Sequence, residues 1–236
     1  MASLAPMPSI EVDKVQLMQF GQAWSANRGA LSRTPPYSSG DLGRLFDRAV
    51  ANALSTMLGG IPVVEPNSTA LIPQEADCVE LGNTRIIGGV RPQNFDVGYR
   101  PDGVRFVFDS KTLNDTKSVG KNWQNMVNDL ATEATTVHTR FPYAVVAFMV
   151  IIPSPCLTSS TCAAMIGTLE RLARRSTIDG PHHMAEAISL VLWDPLTGDI
   201  NPDVPDRSSP LRLSRFSEQV EAAYTSRYKG LPPHAT

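Results

Sequence analysis

Apolar residues change their spacing several times along this chain, and each change predicts an element. Over 42–58 they fall at Leu42, Leu45, Phe46, Ala49, Val50, Ala53, Leu54 and Met57, the three-to-four spacing of an amphipathic helix. Ser39 or Asp41 stands where a cap is needed, and Gly59-Gly60 ends the pattern. A second stripe through Trp123, Met126, Val127, Leu130, Ala131, Ala134 and Val137 predicts a helix over 121–140, stopping at Phe141-Pro142. Residues 143–152, YAVVAFMVII, are apolar without a break between Pro142 and Pro153. That run is too short to span a bilayer, so it predicts a central strand covered on both faces. A helix over 159–175 and a second apolar strand, AISLVLW, follow, the strand ending at Asp194-Pro195. Residues 11–28 read as a helix before the proline-rich TPPY, giving an N-terminal helical arm over 1–37. Residues 195–212, dense in proline, aspartate and serine, read as a loop, and a short helix over 217–228 closes the chain.

Between the first two helices the period drops to two. In NFDVGYRPDGVRFVFDSK, 94–111, Val104, Phe106 and Phe108 fall on one face of a strand, and Arg105, Val107, Asp109 and Lys111 on the other. Phe95, Val97 and Tyr99 likewise share a face, with Asp96 opposite them. Arg100-Pro101-Asp102-Gly103 is a turn signal, because proline presets φ and glycine accepts strained geometry. A four-residue loop sets Arg100 against Arg105, Gly98 against Val107 and Asp96 against Asp109. Directly opposed residues have Cβ atoms about 5 Å apart, and two carboxylates that close repel unless a positive group lies between them. Lys111 is on the same face, and a divalent cation is the natural third party. Asp47 lies on the flank of the first helix's apolar stripe, in line with Gly43, Val50 and Leu54.

The resulting order is helix, three-stranded meander, helix, strand, helix, strand. It predicts an α/β fold with a mixed central sheet flanked by helices. At 236 residues and 42% hydrophobic content the chain can bury one core, so one domain over 1–236 is expected. A net charge of −2 and a pI near 6.1 mean that any grip on DNA depends on local basic surface. Arg91, Arg100, Arg105, Lys111, Lys117 and Lys121 concentrate such charge within 91–121. Neither a phosphate-binding G-x-x-x-x-G-K-[ST] loop nor a G-x-S-x-G elbow occurs. Cys78, Cys156 and Cys162 lack metal-ligand spacing and are expected free and reduced. The start, MASLAPMPSIEVDK, lacks the pattern of a secretory signal, and no segment suggests a membrane, so a cytoplasmic protein is expected. His182 and His183 point apart on extended chain, and His138 is placed to cap a helix end.

Asp96 followed across a hairpin by Asp109-Ser110-Lys111 resembles the P-D…(D/E)-x-K signature of the nuclease superfamily to which many type II restriction endonucleases belong. The chain departs from it at Phe95, where the signature has proline. The literal Pro101-Asp102 sits at the turn tip, roughly 20 Å of extended chain from Asp109. The helix GDLGRLFDRAV and the later elements resemble the superfamily's common core over 41–194. The resemblance implies a restriction-endonuclease-like fold and a Mg²⁺-dependent endonuclease acting on double-stranded DNA at a short specific site, as a homodimer. It implies that Asp96, Asp109 and the backbone carbonyl of Ser110 hold Mg²⁺, that Asp47 completes the coordination or supports a second metal, and that Lys111 orients or helps deprotonate the attacking water. Lys117, Lys121, Asn122 and Arg105 are the expected DNA contacts. A structure-specific or repair nuclease, and a non-catalytic DNA-binding module on the same scaffold, are the alternative tasks.

Overall fold

A computed structural model describes residues 3–67 and 70–234; the outermost two residues at each end of the expected arm and tail lie outside the described residues. The elements run α1 (Lys14–Ala26), α2 (Ser39–Met57), β1 (Val63–Val64), β2 (Val79–Ile87), β3 (Pro92–Tyr99), β4 (Phe106–Thr112), α3 (Val119–His138), β5 (Val145–Pro153), α4 (Ser159–Leu172), β6 (Ala187–Trp193) and α5 (Leu213–Tyr228). Together the strands make one six-stranded mixed sheet in the order β1-β2-β3-β4-β5-β6. β2, β3 and β4 form the antiparallel meander, β1 joins β2 in parallel, and β5 and β6 extend β4 in parallel. The fold is α/β, as the apolar pattern predicts.

Every residue of β5 and β6 is buried, which explains why their sequences carry no polar alternation. Parallel neighbours need crossovers; α3 supplies the one from β4 to β5 and α4 the one from β5 to β6. α2 packs against β2, β3 and β4, and α5 against β5 and β6. Phe108 of β4 meets Phe216 of α5 edge-on, ring centres 5.9 Å apart; burying an aromatic of this size stabilises by roughly 2–3 kcal/mol.

The helix ends show where local chemistry decides. The cap of α2 is Ser38 rather than Ser39 or Asp41: Ser38 Oγ accepts from the Asp41 amide at 3.1 Å, and Asp41 Oδ2 accepts from the Ser38 amide at 3.0 Å. This reciprocal box contributes about 1 kcal/mol. Gly59 and Gly60, at φ 89° and 79°, end the helix as expected. α3 starts two residues before the expected 121, and α5 starts at Leu213 rather than 217. α4 stops at Leu172, short of 175, because Arg175 leaves the helical path to enter a buried ion cluster.

That cluster centres on Glu186. Arg175 Nη1 and Arg227 Nη2 donate to its Oε1 at 2.6 and 2.8 Å, and the Val146 amide donates to Oε2 at 2.8 Å. His138 Nε2 lies 3.3 Å from the same Oε2. His138 is therefore a buried structural residue at the α3 terminus rather than a helix cap. Burial alone pushes the Glu186 carboxyl up, but His138, Arg227 and the Val146 amide more than offset it and hold the group at about 2.

The N-terminal arm is folded onto the core. Leu17, Phe20 and Trp24 of α1 are buried, and Trp24 Nε1 donates to the Asn114 carbonyl at 2.7 Å. Asn114 Oδ1 takes the Leu31 amide at 3.0 Å, while its Nδ2 donates to Ser39 Oγ at 2.6 Å. The end of β4 thus ties the arm to the start of α2. The three cysteines are free, and no helix among the described residues is long and apolar enough to cross a membrane.

Candidate active site

The hairpin has the register that alternation and turn chemistry predict. Val97 pairs with Phe108, Gly98 with Val107 and Tyr99 with Phe106. Asp96 and Asp109 come next on either strand, just past the last of these pairs. There the Asp96 side chain replaces a strand partner: its Oδ2 accepts from the Ser110 amide at 2.9 Å and from Ser110 Oγ at 3.3 Å.

Successive residues at the end of β4 serve two helices. Lys111 turns toward α3, where its Nζ donates to Glu133 Oε1 at 2.8 Å and also contacts Asp109 Oδ2. Ser110 and Thr112 turn toward α2. Thr112 Oγ1 meets Ser39 Oγ at 2.6 Å, and a Cβ on Gly43 would come within 2.9 Å of Ser110 Oγ. Gly43 thereby lets α2 approach β4 closely one turn before Asp47. The sequence pattern puts Asp47 on the flank of its helix; it is in fact buried, at 4% exposure.

Four carboxylates and one ammonium thus converge from α2, β3, β4 and α3. Burial, then the charge of Asp96, pushes the Asp47 carboxyl up to about 8, against the pull of a Ser110 hydrogen bond. Asp109 is raised well above the ordinary carboxylate range, first by burial and then by Asp96, with Lys111 opposing. Glu133 is raised by burial, again against Lys111. For Lys111 itself burial works against the charge, but Asp109 and Glu133 outweigh it and hold the amine above its usual value. Lys111 is an ammonium at neutral pH.

Comparison with protein-family models, curated proteins and solved structures finds no match to this chain. The case for a site therefore rests on its own geometry.

Among the described residues no three His, Cys, Asp or Glu side chains are gathered so as to hold a metal ion. Two buried carboxylate oxygens nonetheless have no hydrogen-bond partner, Asp47 Oδ1 and Glu133 Oε2, and Asp109 Oδ2 has only the Lys111 ammonium beside it. Buried acceptors left unsatisfied cost about 1–3 kcal/mol each, a cost that a cation beside Asp47 Oδ1 and Glu133 Oε2 would relieve. Hard oxygen donors fit magnesium, which is usually held by one or two carboxylates with waters and substrate oxygens completing its shell.

The expected DNA contacts divide. Lys121 and Asn122 are exposed in the first turn of α3, and Lys117 is exposed in the turn before it. Arg105 is not available: it is 4% exposed, bonded to Asp102 and the Pro232 carbonyl, and covered by the Tyr228 ring at 4.6 Å. Arg100 is likewise buried against Glu80, 2.6 Å away. Both guanidinium groups support the sheet and do not add to basic surface.

Glu133 went unnoticed in the sequence. Its signal was present, since it lies three residues after Leu130 and four before Val137 on the apolar stripe of α3. A charged residue on a buried stripe needs a partner, and Lys111 is that partner.

Proposed function

We propose that this chain is a magnesium-dependent endonuclease that hydrolyses phosphodiester bonds of double-stranded DNA at a short specific sequence. The observation that carries the reading is Lys111, half-buried and paired with both Asp109 and Glu133, on the strand whose next residue back, Ser110, is bonded to Asp96. Buried carboxylates with raised pKa values beside a charged amine are costly to the fold and cluster where chemistry is done.

Asp96 and Asp109 are the residues that would hold Mg²⁺, with Asp47 as a further oxygen ligand. When bound, the ion supplies Lewis acidity, lowering the pKa of a coordinated water and offsetting charge on the scissile phosphate. Ser110 fixes one oxygen of Asp96 and leaves the other free to ligate. Lys111, already protonated, donates to the attacking water or to the phosphate oxygen and stabilises the charge that develops as the phosphorus–oxygen bond breaks. Glu133 is a positioning residue: it touches Lys111 and sets where the ammonium points. Two copies about a two-fold axis would present one site to each strand.

Supercoiled plasmid incubated with the full chain and Mg²⁺ is expected to give discrete fragments. Smearing or cleavage confined to junctions would assign the structure-specific task instead, and an intact plasmid would remove the enzymatic reading. Mg²⁺ is also expected to raise the thermal midpoint by filling a site of buried negative charge; no shift at millimolar Mg²⁺ would count against the metal site.

Glu133→Gln separates positioning from support. Cleavage turnover is expected to fall about 10–100-fold with little change in KM. Because Glu133 helps keep Lys111 protonated, its loss lowers the Lys111 pKa, and the alkaline limit of activity moves to lower pH. A uniform loss at every pH would show that Glu133 serves only the fold.

A further inference from the structure

A cleft of about 740 Å³ opens beside Asp47 and Asp96. One wall is α2, and two of its residues, Arg44 and Arg48, line the cleft on either side of Asp47 in sequence. They are one helical turn apart and project together, about 6 Å along the axis. Both are exposed. Arg48 has no side-chain partner among the described residues, and Arg44 has only a 3.4 Å contact with Asp41, whose carboxylate is already engaged in the cap of α2. The other wall contains a β-bulge. Pairing of β2 with β3 slips between Leu81 and Thr84, and Gly82, at φ 130°, carries the strand through the bend. Asn83 is thereby presented at the cleft, exposed and without a side-chain partner among the described residues. Bulges beside sites commonly re-aim a side chain in this way.

We propose that Arg44 and Arg48 are phosphate-binding residues that hold the nucleic-acid strand along α2, gripping backbone phosphates next to the one to be cleaved, with Asn83 as a third contact from the bulge. The assignment rests on the nuclease reading for what lies at the end of the track. Guanidinium groups suit it, since their planar donors match phosphate oxygens. They also remain charged: Arg48 has no ion-pair partner among the described residues, and Arg44 has only its exposed contact with Asp41. Glu65, exposed on the same cleft, is the one acid there outside the buried cluster, and it opposes a phosphate chain.

Binding of a fluorescein-labelled duplex of about 20 base pairs, and of the matching single strand, is followed by anisotropy in EDTA between about 50 and 200 mM salt. Arg44→Ala and Arg48→Ala are each expected to weaken binding about tenfold and to lower the slope of log affinity against log salt by about 0.9. Arg48→Lys should restore the slope, Glu65→Gln should tighten binding, and thermal midpoints should not move. An unchanged slope in the double alanine variant, or a wild-type chain that binds neither probe, overturns the proposal. Wild-type chain that binds with the expected slope but leaves plasmid intact would sink the hydrolytic reading and keep the arginine assignment. A double variant that cuts plasmid with unchanged KM would do the reverse.

Discussion

Asp109→Asn is expected to abolish Mg²⁺-dependent plasmid cleavage, lowering turnover by about 10³-fold or more, while leaving the protein at least as stable as before. The two halves of this prediction have one cause. Asp109 is buried and its carboxyl is raised well above the ordinary range, first by burial and then by Asp96. A carboxyl whose folded pKa exceeds its unfolded value makes the fold lose stability as pH rises past the unfolded value. At neutral pH the ionised group is therefore a burden, and the uncharged isostere removes it. Lys111→Ala is expected to cost similar activity with the opposite effect on stability, because Asp109 and Glu133 are left without their shared cation. Cleavage rates and thermal midpoints of both variants, measured together, check the argument. Wild-type cutting by both would show that chemistry resides elsewhere.

Glu186→Ala is expected to destabilise the fold by about 3–5 kcal/mol, the cost of leaving buried cations without their counter-charge. Arg175, Arg227, His138 and the Val146 amide share this one carboxylate, so its loss strands groups from the ends of α3, α4 and α5 at once. Its pH dependence is fixed in sign. The folded group is held at about 2 against an ordinary 4.5, so its contribution is complete above about pH 4.5 and is lost as pH falls toward 2. The shift corresponds to on the order of 3 kcal/mol. Urea titrations at neutral pH and across the acid range measure both effects. A loss under about 1 kcal/mol at neutral pH, or acid sensitivity equal to wild type in the variant, would refute the account.

What could be read in the sequence followed from short-range rules. The pairing of Gly98 with Val107 follows from alternation and a Pro-Asp-Gly turn, and it brings Asp96, Asp109 and Lys111 together without any long-range contact. The buried strands β5 and β6 announce themselves by lacking charged residues and polar alternation. Burial of charge was harder, because it depends on partners distant in sequence. Arg105 finds its carbonyl acceptor at Pro232, Arg100 its carboxylate at Glu80, and Lys111 its second acid at Glu133. Read locally, each of these arginines is a surface charge. Ser38 was missed for a smaller reason: with serine at both 38 and 39, backbone geometry alone selects the cap. The Gly82-Asn83 bulge left no mark in the alternation of β2, so the cleft it shapes was invisible.

The imbalance at the centre, four acids around one lysine, has a thermodynamic consequence. A phosphate arriving alone meets carboxyl groups that repel it once they ionise, and a cation arriving alone finds only part of its coordination shell. Each ligand therefore improves the site for the other, and linkage requires that the improvement be equal in both directions. A nucleic acid that binds only weakly in EDTA would bind more tightly with the ion, by the same factor by which it tightens the ion's own hold. Affinity for the two would rise and fall as one quantity, which keeps the centre from being fully assembled until both are present.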